Sequence, residues 1–70
     1  MLVEADYKGH RIEVEAVGEL GRWDATVRIR RTLTEDEPHV ELITCGKGTA
    51  ELAERWGAIW AKRWVDVNAG

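Results

Sequence analysis

Apolar and polar residues alternate along several stretches of the chain, and this period-two pattern predicts strands with one buried face. The alternation is regular over residues 11–17 and again over residues 23–30. Residues 39–45 are predicted as a third strand, because Pro38 lacks a backbone N–H and suits the entry of an edge strand. Residues 2–7 are also extended in character, and we interpret them as a less regular continuation of the first strand.

The first two predicted strands form an antiparallel hairpin whose register is indicated by charge. Pairing Val14 with Val27 places Glu13 opposite Arg28, and opposite charges that face each other across a strand pair are favourable. A register shifted by two residues would set like charges against each other. We therefore expect the first register, which leaves a loop of about six residues that includes Gly18-Glu19-Leu20-Gly21.

Beyond the predicted strands, the sequence carries the signals of a helix start. Thr49 is a good N-cap because its hydroxyl can accept a hydrogen bond from an unpaired backbone N–H, and Glu51 brings negative charge to the first turn. The helix is predicted to run from Ala50 to about Val65. Residues 68–70 are expected to fray.

Large apolar residues recur every four positions along the predicted helix, so they lie on one side of it. They are Leu52, Trp56, Trp60 and Trp64. Because the chain contains no Phe, we expect Trp56 and Trp60 to pack on the sheet as core residues, with Trp64 at the margin of the buried face. The elements predict one α+β domain over residues 1–70: a three-stranded antiparallel meander (βββ) with one C-terminal helix packed on one face.

Length, composition and charge narrow the class of protein. The 70 residues are 44% hydrophobic and 33% charged, as is typical of one small folded domain. No apolar run is long enough to cross a membrane, the first residues do not resemble a signal peptide, and a single cysteine excludes an internal disulfide. We therefore predict a cytoplasmic protein with no membrane partner. The net charge of -3 gives no general attraction to nucleic acid.

Candidate chemical groups are few and isolated. His10, His39 and Cys45 are the soft metal ligands of the chain, and they lack the short paired spacings of a zinc site. His39 and Cys45 would lie roughly 20 Å apart along a strand, too far for a Cys–His nucleophilic pair. Gly46 and Gly48 precede the helix without the spacing of a phosphate-binding loop. We predict no catalytic, cofactor-binding or metal site.

Two groups of residues are candidates for binding. The basic residues that could contact nucleic acid or another anion are Arg28, Arg30, Arg31 and Lys47. Acidic residues alternate with arginines along the same strands, a pattern more typical of a solvated ladder of opposite charges. A candidate protein interface comprises Trp64 and Val65 near the end of the helix, together with Ile43, which we expect on the otherwise polar face of the sheet.

Three short motifs carry a resemblance to known proteins. They read Tyr7-Lys8-Gly9-His10-Arg11-Ile12-Glu13-Val14, then Gly21-Arg22-Trp23-Asp24-Ala25-Thr26-Val27-Arg28-Ile29, and Trp64-Val65-Asp66. In these motifs the chain resembles a group of small bacterial proteins of unknown function. The motifs occupy turns and core positions, so the resemblance implies a fold and no activity. The βββα layout is also similar to the sheet and last helix of double-stranded-RNA-binding and antitoxin-type domains, without the first helix and lysine-rich helix start of the former.

These observations favour a non-enzymatic protein-interaction module. Its partner would be an unknown protein or, in a homodimer, a second copy of the chain. The alternative is a nucleic-acid-associated regulator that binds through the Arg-bearing face of the sheet and the N-terminus of the helix.

Overall fold

The chain forms one antiparallel sheet with a helix across one face, in a computed structural model that describes residues 2–34 and 37–69. The elements are β1 Leu2–Tyr7, β2 His10–Glu19, β3 Arg22–Arg31, β4 His39–Lys47 and α1 Ala50–Ala69. The four strands lie side by side in chain order. The prediction of a three-stranded sheet is wrong, because residues 2–7 form a strand of their own beside β2. The layout is ββββα, within the predicted α+β class.

A tight turn at Lys8 and Gly9 separates β1 from β2. Both residues have positive φ angles, 46° and 76°, as in the type I′ turns that join antiparallel strands through two residues. The turn reverses the chain and pairs Val3 with Val14. Lys-Gly is a weaker turn signal than Asn-Gly or Asp-Gly, so residues 2–7 are easily taken for a continuation of the next strand.

The predicted register of the central hairpin is confirmed. Val14 lies opposite Val27, and Glu13 lies opposite Arg28. The expected longer loop is wrong, because pairing continues to the ends of both strands and leaves only Leu20-Gly21 in the turn. The glycine has a φ of 84°, a conformation that residues with a side chain rarely adopt.

The register of β4 against β3 decides which β4 side chains face the helix. Leu42 lies opposite Thr26 on the outer face of the sheet, whereas Ile43 lies opposite Ala25 on the helix side and is buried. The prediction that Ile43 lies on the polar face is therefore wrong. An edge strand is only partly covered by the helix, so its side chains do not sort cleanly by polarity.

The start of α1 is confirmed and its end is later than predicted. Thr49 Oγ1 accepts a hydrogen bond from the backbone N–H of Leu52 at 3.2 Å, as an N-cap does. The helix continues beyond Val65 and includes residues 68 and 69, which were expected to fray; Gly70 lies outside the described residues. No helix in the described part of the chain is long and apolar enough to span a membrane.

The helix lies very close to the sheet at Gly57. A Cβ atom on Gly57 would stand 2.7 Å from Val14 Cγ1 and 2.9 Å from Ala25 Cβ, closer than Cβ atoms come to their neighbours. Ala53 and Ala61, one turn before and after it, are fully buried. We call Ala53, Gly57 and Ala61 the small-residue face of α1. Their size lets the helix backbone lie directly over β2 and β3.

The tryptophans of α1 lie around the core rather than in it. The core cluster consists of Ile12, Val14, Ala25, Val27, Ile29, Ile43, Ala61 and Val65. Trp60 and Trp64 are half-buried and pack against this cluster, whereas Trp56 is 47% exposed. The prediction that Trp56 is a core residue is wrong, because the space between helix and sheet is too narrow for an indole ring.

Candidate functional site

The outward side of α1 carries a row of large apolar side chains. We call Leu52, Trp56 and Ile59 the helix stripe; their i, i+4, i+7 spacing aligns them on the helix surface. Their exposed fractions are 46%, 47% and 45%. Large apolar side chains exposed next to one another mark a contact surface, whereas isolated ones are ordinary.

Basic side chains border the helix stripe. The ammonium nitrogen of Lys47 lies 4.3 Å from the centroid of the Trp56 ring, a cation–π distance. Arg55 and Arg63 are exposed and lie four residues before and after Ile59, which places all three on neighbouring positions of the helix surface. Within the described part of the chain, no ion pair involves Lys47, Arg55 or Arg63. The helix stripe therefore lies beside positive charge that no ion pair among the described residues neutralises.

The C-terminal part of α1 is tied to the end of β1 and the β1–β2 turn by polar contacts of Asp66. The Tyr7 hydroxyl lies 3.0 and 3.1 Å from the two carboxylate oxygens of Asp66, to which it donates, and Lys8 Nζ donates to Oδ1 of Asp66 at 2.7 Å. The hydrogen bond from Lys8, followed by that from Tyr7, lowers the pKa of Asp66. The same bond to Asp66 raises the pKa of Lys8. The carboxylate of Asp66 and the ammonium group of Lys8 thus have partners within the chain.

A cavity of about 690 Å³ opens at one end of the sheet, between the β1–β2 turn, the β3–β4 connection and the end of α1. Its polar and aromatic lining includes His10, Arg31, Glu37, His39, Trp64 and Asn68. His39 stacks on Trp64 with ring centroids 4.7 Å apart, and its Nε2 lies 3.0 Å from Oε1 of Glu41. His10 is buried and donates through Nδ1 to the carbonyl oxygen of Lys8 at 3.0 Å. His10, His39 and Asn68 each make a hydrogen bond within the chain.

His10 and His39 line the same cavity, whereas Cys45 lies apart from both. His10 begins β2 and His39 begins β4, while the Cys45 thiol near the other end of β4 donates to the carbonyl oxygen of Trp23 at 3.6 Å. The described residues include no group of three or more His, Cys, Asp or Glu side chains placed to hold a metal ion.

The residues of the predicted protein interface lie mainly inside the chain. Val65 is fully buried and Ile43 is 9% exposed, so neither presents a surface to a second protein. Trp64 is half-buried and stacked on His39. Apart from Val67, the exposed large apolar side chains of α1 lie earlier along the helix, in the helix stripe.

A signal for the helix stripe is present in the sequence. Ala53, Gly57 and Ala61 recur every four residues just as the large residues do. A glycine within a helical pattern often has a packing reason, and here that reason is close approach to the sheet. If these small residues form the buried face, the large residues must lie on the outward side of the helix.

The predicted anion contacts do not form one surface. Arg28 and Arg30 are exposed on the outer face of the sheet, where Arg28 lies opposite Glu13. Arg31 and Lys47 lie on the helix side near opposite ends of β3, roughly 26 Å apart at the rise of an antiparallel strand. A nucleic-acid backbone that follows one face of the protein could not contact all four.

Comparison with known protein families, with curated proteins and with solved structures finds no match to this chain. The resemblance to small bacterial proteins stays a prediction from its three motifs. The helix stripe and its basic border are therefore the basis on which a function can be argued.

Proposed function

We propose that the protein is a non-enzymatic protein-interaction module that binds its partner through the helix stripe. The observation that supports this most directly is the adjacent exposure of Leu52, Trp56 and Ile59 on a helix whose opposite face is buried. Keeping apolar surface in water forgoes about 25 cal/mol per Å² of burial. In a domain of this size, a row of large apolar side chains at the surface is explained by a partner that covers it.

The geometry of the helix stripe suits a partner segment that lies along the helix. From Leu52 to Ile59 the stripe spans two turns, about 10 Å at the helical rise. Trp56, at its centre, belongs to the residue type most enriched among energetic hot spots of interfaces. Because α1 is fixed on the sheet by its small-residue face, the stripe is already ordered before a partner arrives, which lowers the entropy cost of binding.

The proposal is tested by removing the stripe and following the size of the protein in a native extract of its source. In Trp56→Ser and in Ile59→Ser, we expect the fold to persist, because each side chain is about half exposed. Circular dichroism and thermal unfolding check this point. We expect the unaltered chain to elute in size-exclusion chromatography as part of a larger assembly, and both variants to shift toward the monomer.

A matched control removes an exposed leucine elsewhere. Leu20, in the β2–β3 turn, is 99% exposed and far from α1 in the chain. Leu20→Ser should elute with the same assembly as the unaltered chain. If the unaltered chain elutes as a monomer, or if the stripe variants elute unchanged, the proposed function is wrong.

A further inference from the structure

We infer that the partner of the helix stripe is an acidic amphipathic segment of another protein, with apolar residues against the stripe and carboxylates against its basic border. The inference rests on the proposed function and adds the chemistry of the partner. Three observations support it: the charges that border the stripe, the repulsion that a two-fold contact between copies would create, and the half-covered state of the apolar side chains.

Positive charge dominates the surroundings of the helix stripe. Lys47, Arg55 and Arg63 border it without ion pairs in the described part of the chain. Glu51, one residue before Leu52, brings a carboxylate only to the N-terminal end of the stripe. The chain as a whole has a net charge of -3, so this local excess is not a consequence of a basic composition. Carboxylates from a partner would complement it and would set the orientation of binding.

A second copy of the chain fits this surface poorly. A two-fold contact brings the same patch from both protomers together. Arg55 and Arg63 would then approach the same cations of the other copy, and like charges in an interface are unfavourable. Asp66, farther along α1, is already engaged by Lys8 and Tyr7 and does not offset them.

An anionic membrane also attracts aromatic and basic side chains, but the depth of the stripe disfavours it. Helices that bind in a membrane interface bury their whole apolar face about 5–10 Å into the headgroup region. The side chains of the helix stripe are each about half covered by their own chain. The backbone of α1 is held against the sheet at Gly57 and cannot turn to insert a deeper face.

The test compares synthetic peptides whose charge and spacing are varied separately. The acidic peptide is a labelled helix with Leu at i, i+4 and i+7 and Glu at the flanking positions. A basic peptide replaces each Glu by Lys, and a scrambled acidic peptide keeps the composition without the spacing. By fluorescence anisotropy at low ionic strength, we expect the acidic peptide to bind about tenfold more tightly than the basic peptide. The scrambled peptide should bind more weakly, because its apolar residues no longer share a face.

Charge reversal on the protein makes the test specific to the border of the stripe. In the double variant Arg55→Glu/Arg63→Glu, the preference should reverse in favour of the basic peptide. The matched control Arg28→Glu/Arg30→Glu changes the net charge equally on the outer face of the sheet and should keep the original preference. Circular dichroism checks that both double variants are folded.

Other results overturn the inference. They are equal binding of acidic and basic peptides, no binding of the acidic peptide, an unchanged preference after charge reversal at Arg55 and Arg63, or tighter binding to phosphatidylglycerol vesicles. Self-association of the purified chain that Trp56→Ser abolishes would replace the acidic partner by a second copy and leave the interaction function standing. If, instead, Trp56→Ser leaves the native assembly intact, the proposed function itself fails.

Discussion

The two faces of α1 differ in side-chain size, and the smaller side chains are the buried ones. The small-residue face, Ala53, Gly57 and Ala61, lies against β2 and β3, while the helix stripe, with far more apolar surface, faces outward. Hydrophobic burial alone would favour the reverse orientation, because large side chains gain more from leaving water. The comparison shows that the short distance between helix and sheet outweighs the hydrophobicity of individual side chains.

The inner face is where we expect a substitution to have the largest effect. In Gly57→Leu, the added side chain would overlap Val14 and Ala25, and we expect a loss of about 3 kcal/mol or more in the free energy of unfolding, beyond any gain in helix propensity. Urea denaturation measures this loss. Gly48→Leu makes the same change where a Cβ meets no atom within 4 Å, and it should cost much less. Equal losses for both variants would contradict the close-approach explanation.

The tryptophans provide a second, smaller contrast. Trp64→Ala removes a half-buried ring that packs against the core and stacks on His39, and we expect a loss of about 2 kcal/mol. Trp56→Ala removes a ring that is 47% exposed and whose polar contact is Lys47, and we expect a loss of at most about 1 kcal/mol. Chemical unfolding of both variants under the same conditions gives the order. A larger loss of stability for Trp56→Ala than for Trp64→Ala would mean that the outward side of α1 also stabilises the fold.

The smallest expected effect concerns the contact of Asp66 with Tyr7 and Lys8 and appears as a dependence of stability on pH. Because the folded state lowers the pKa of Asp66, its contribution to stability is complete above the unfolded pKa near 4 and is lost as the pH falls from there through the lower folded value. Asp66→Asn should therefore flatten the acid limb of the stability curve. Thermal unfolding in a pH series measures it.

The dependence of stability on pH in the alkaline range tests the same contact independently. The pKa of Lys8 is raised, so the stability it contributes is present below its unfolded pKa and is lost as the pH rises through the folded value. Asp66→Asn should also remove this loss. A variant whose acid and alkaline limbs both match those of the unaltered chain would show that the contact does not contribute to folding.

Much of the sheet follows from local patterns. Period-two alternation located β2 and β3, and opposite charges at Glu13 and Arg28 gave their register. The sequence did not predict β1 as a strand of its own, because Lys8-Gly9 is a weak turn signal by itself and acts as a hairpin turn only when strands on both sides pair. Strand pairing depends on residues that are distant in the chain, so the local pattern does not separate residues 2–7 from the next strand.

The surface that we propose for binding was not predictable in the same way. Leu52, Trp56 and Ile59 are apolar residues at helical spacing, and that pattern by itself indicates a buried face. The small residues between them have the same spacing, so the sequence contains two candidate inner faces. The basic border includes Lys47, which lies beside Trp56 only because β4 packs against the helix.

The sequence by itself determined the alternation of β2 and β3, the register between them and the N-cap at Thr49, because each depends on residues that are near in the chain or directly opposite. Only the tertiary structure decided which face of α1 is buried. That choice depends on how closely the helix can approach the sheet. Gly57 lies so close to the sheet that even a Cβ atom does not fit there, while the alanines one turn before and after it fit and are fully buried. The helix stripe is exposed for this reason.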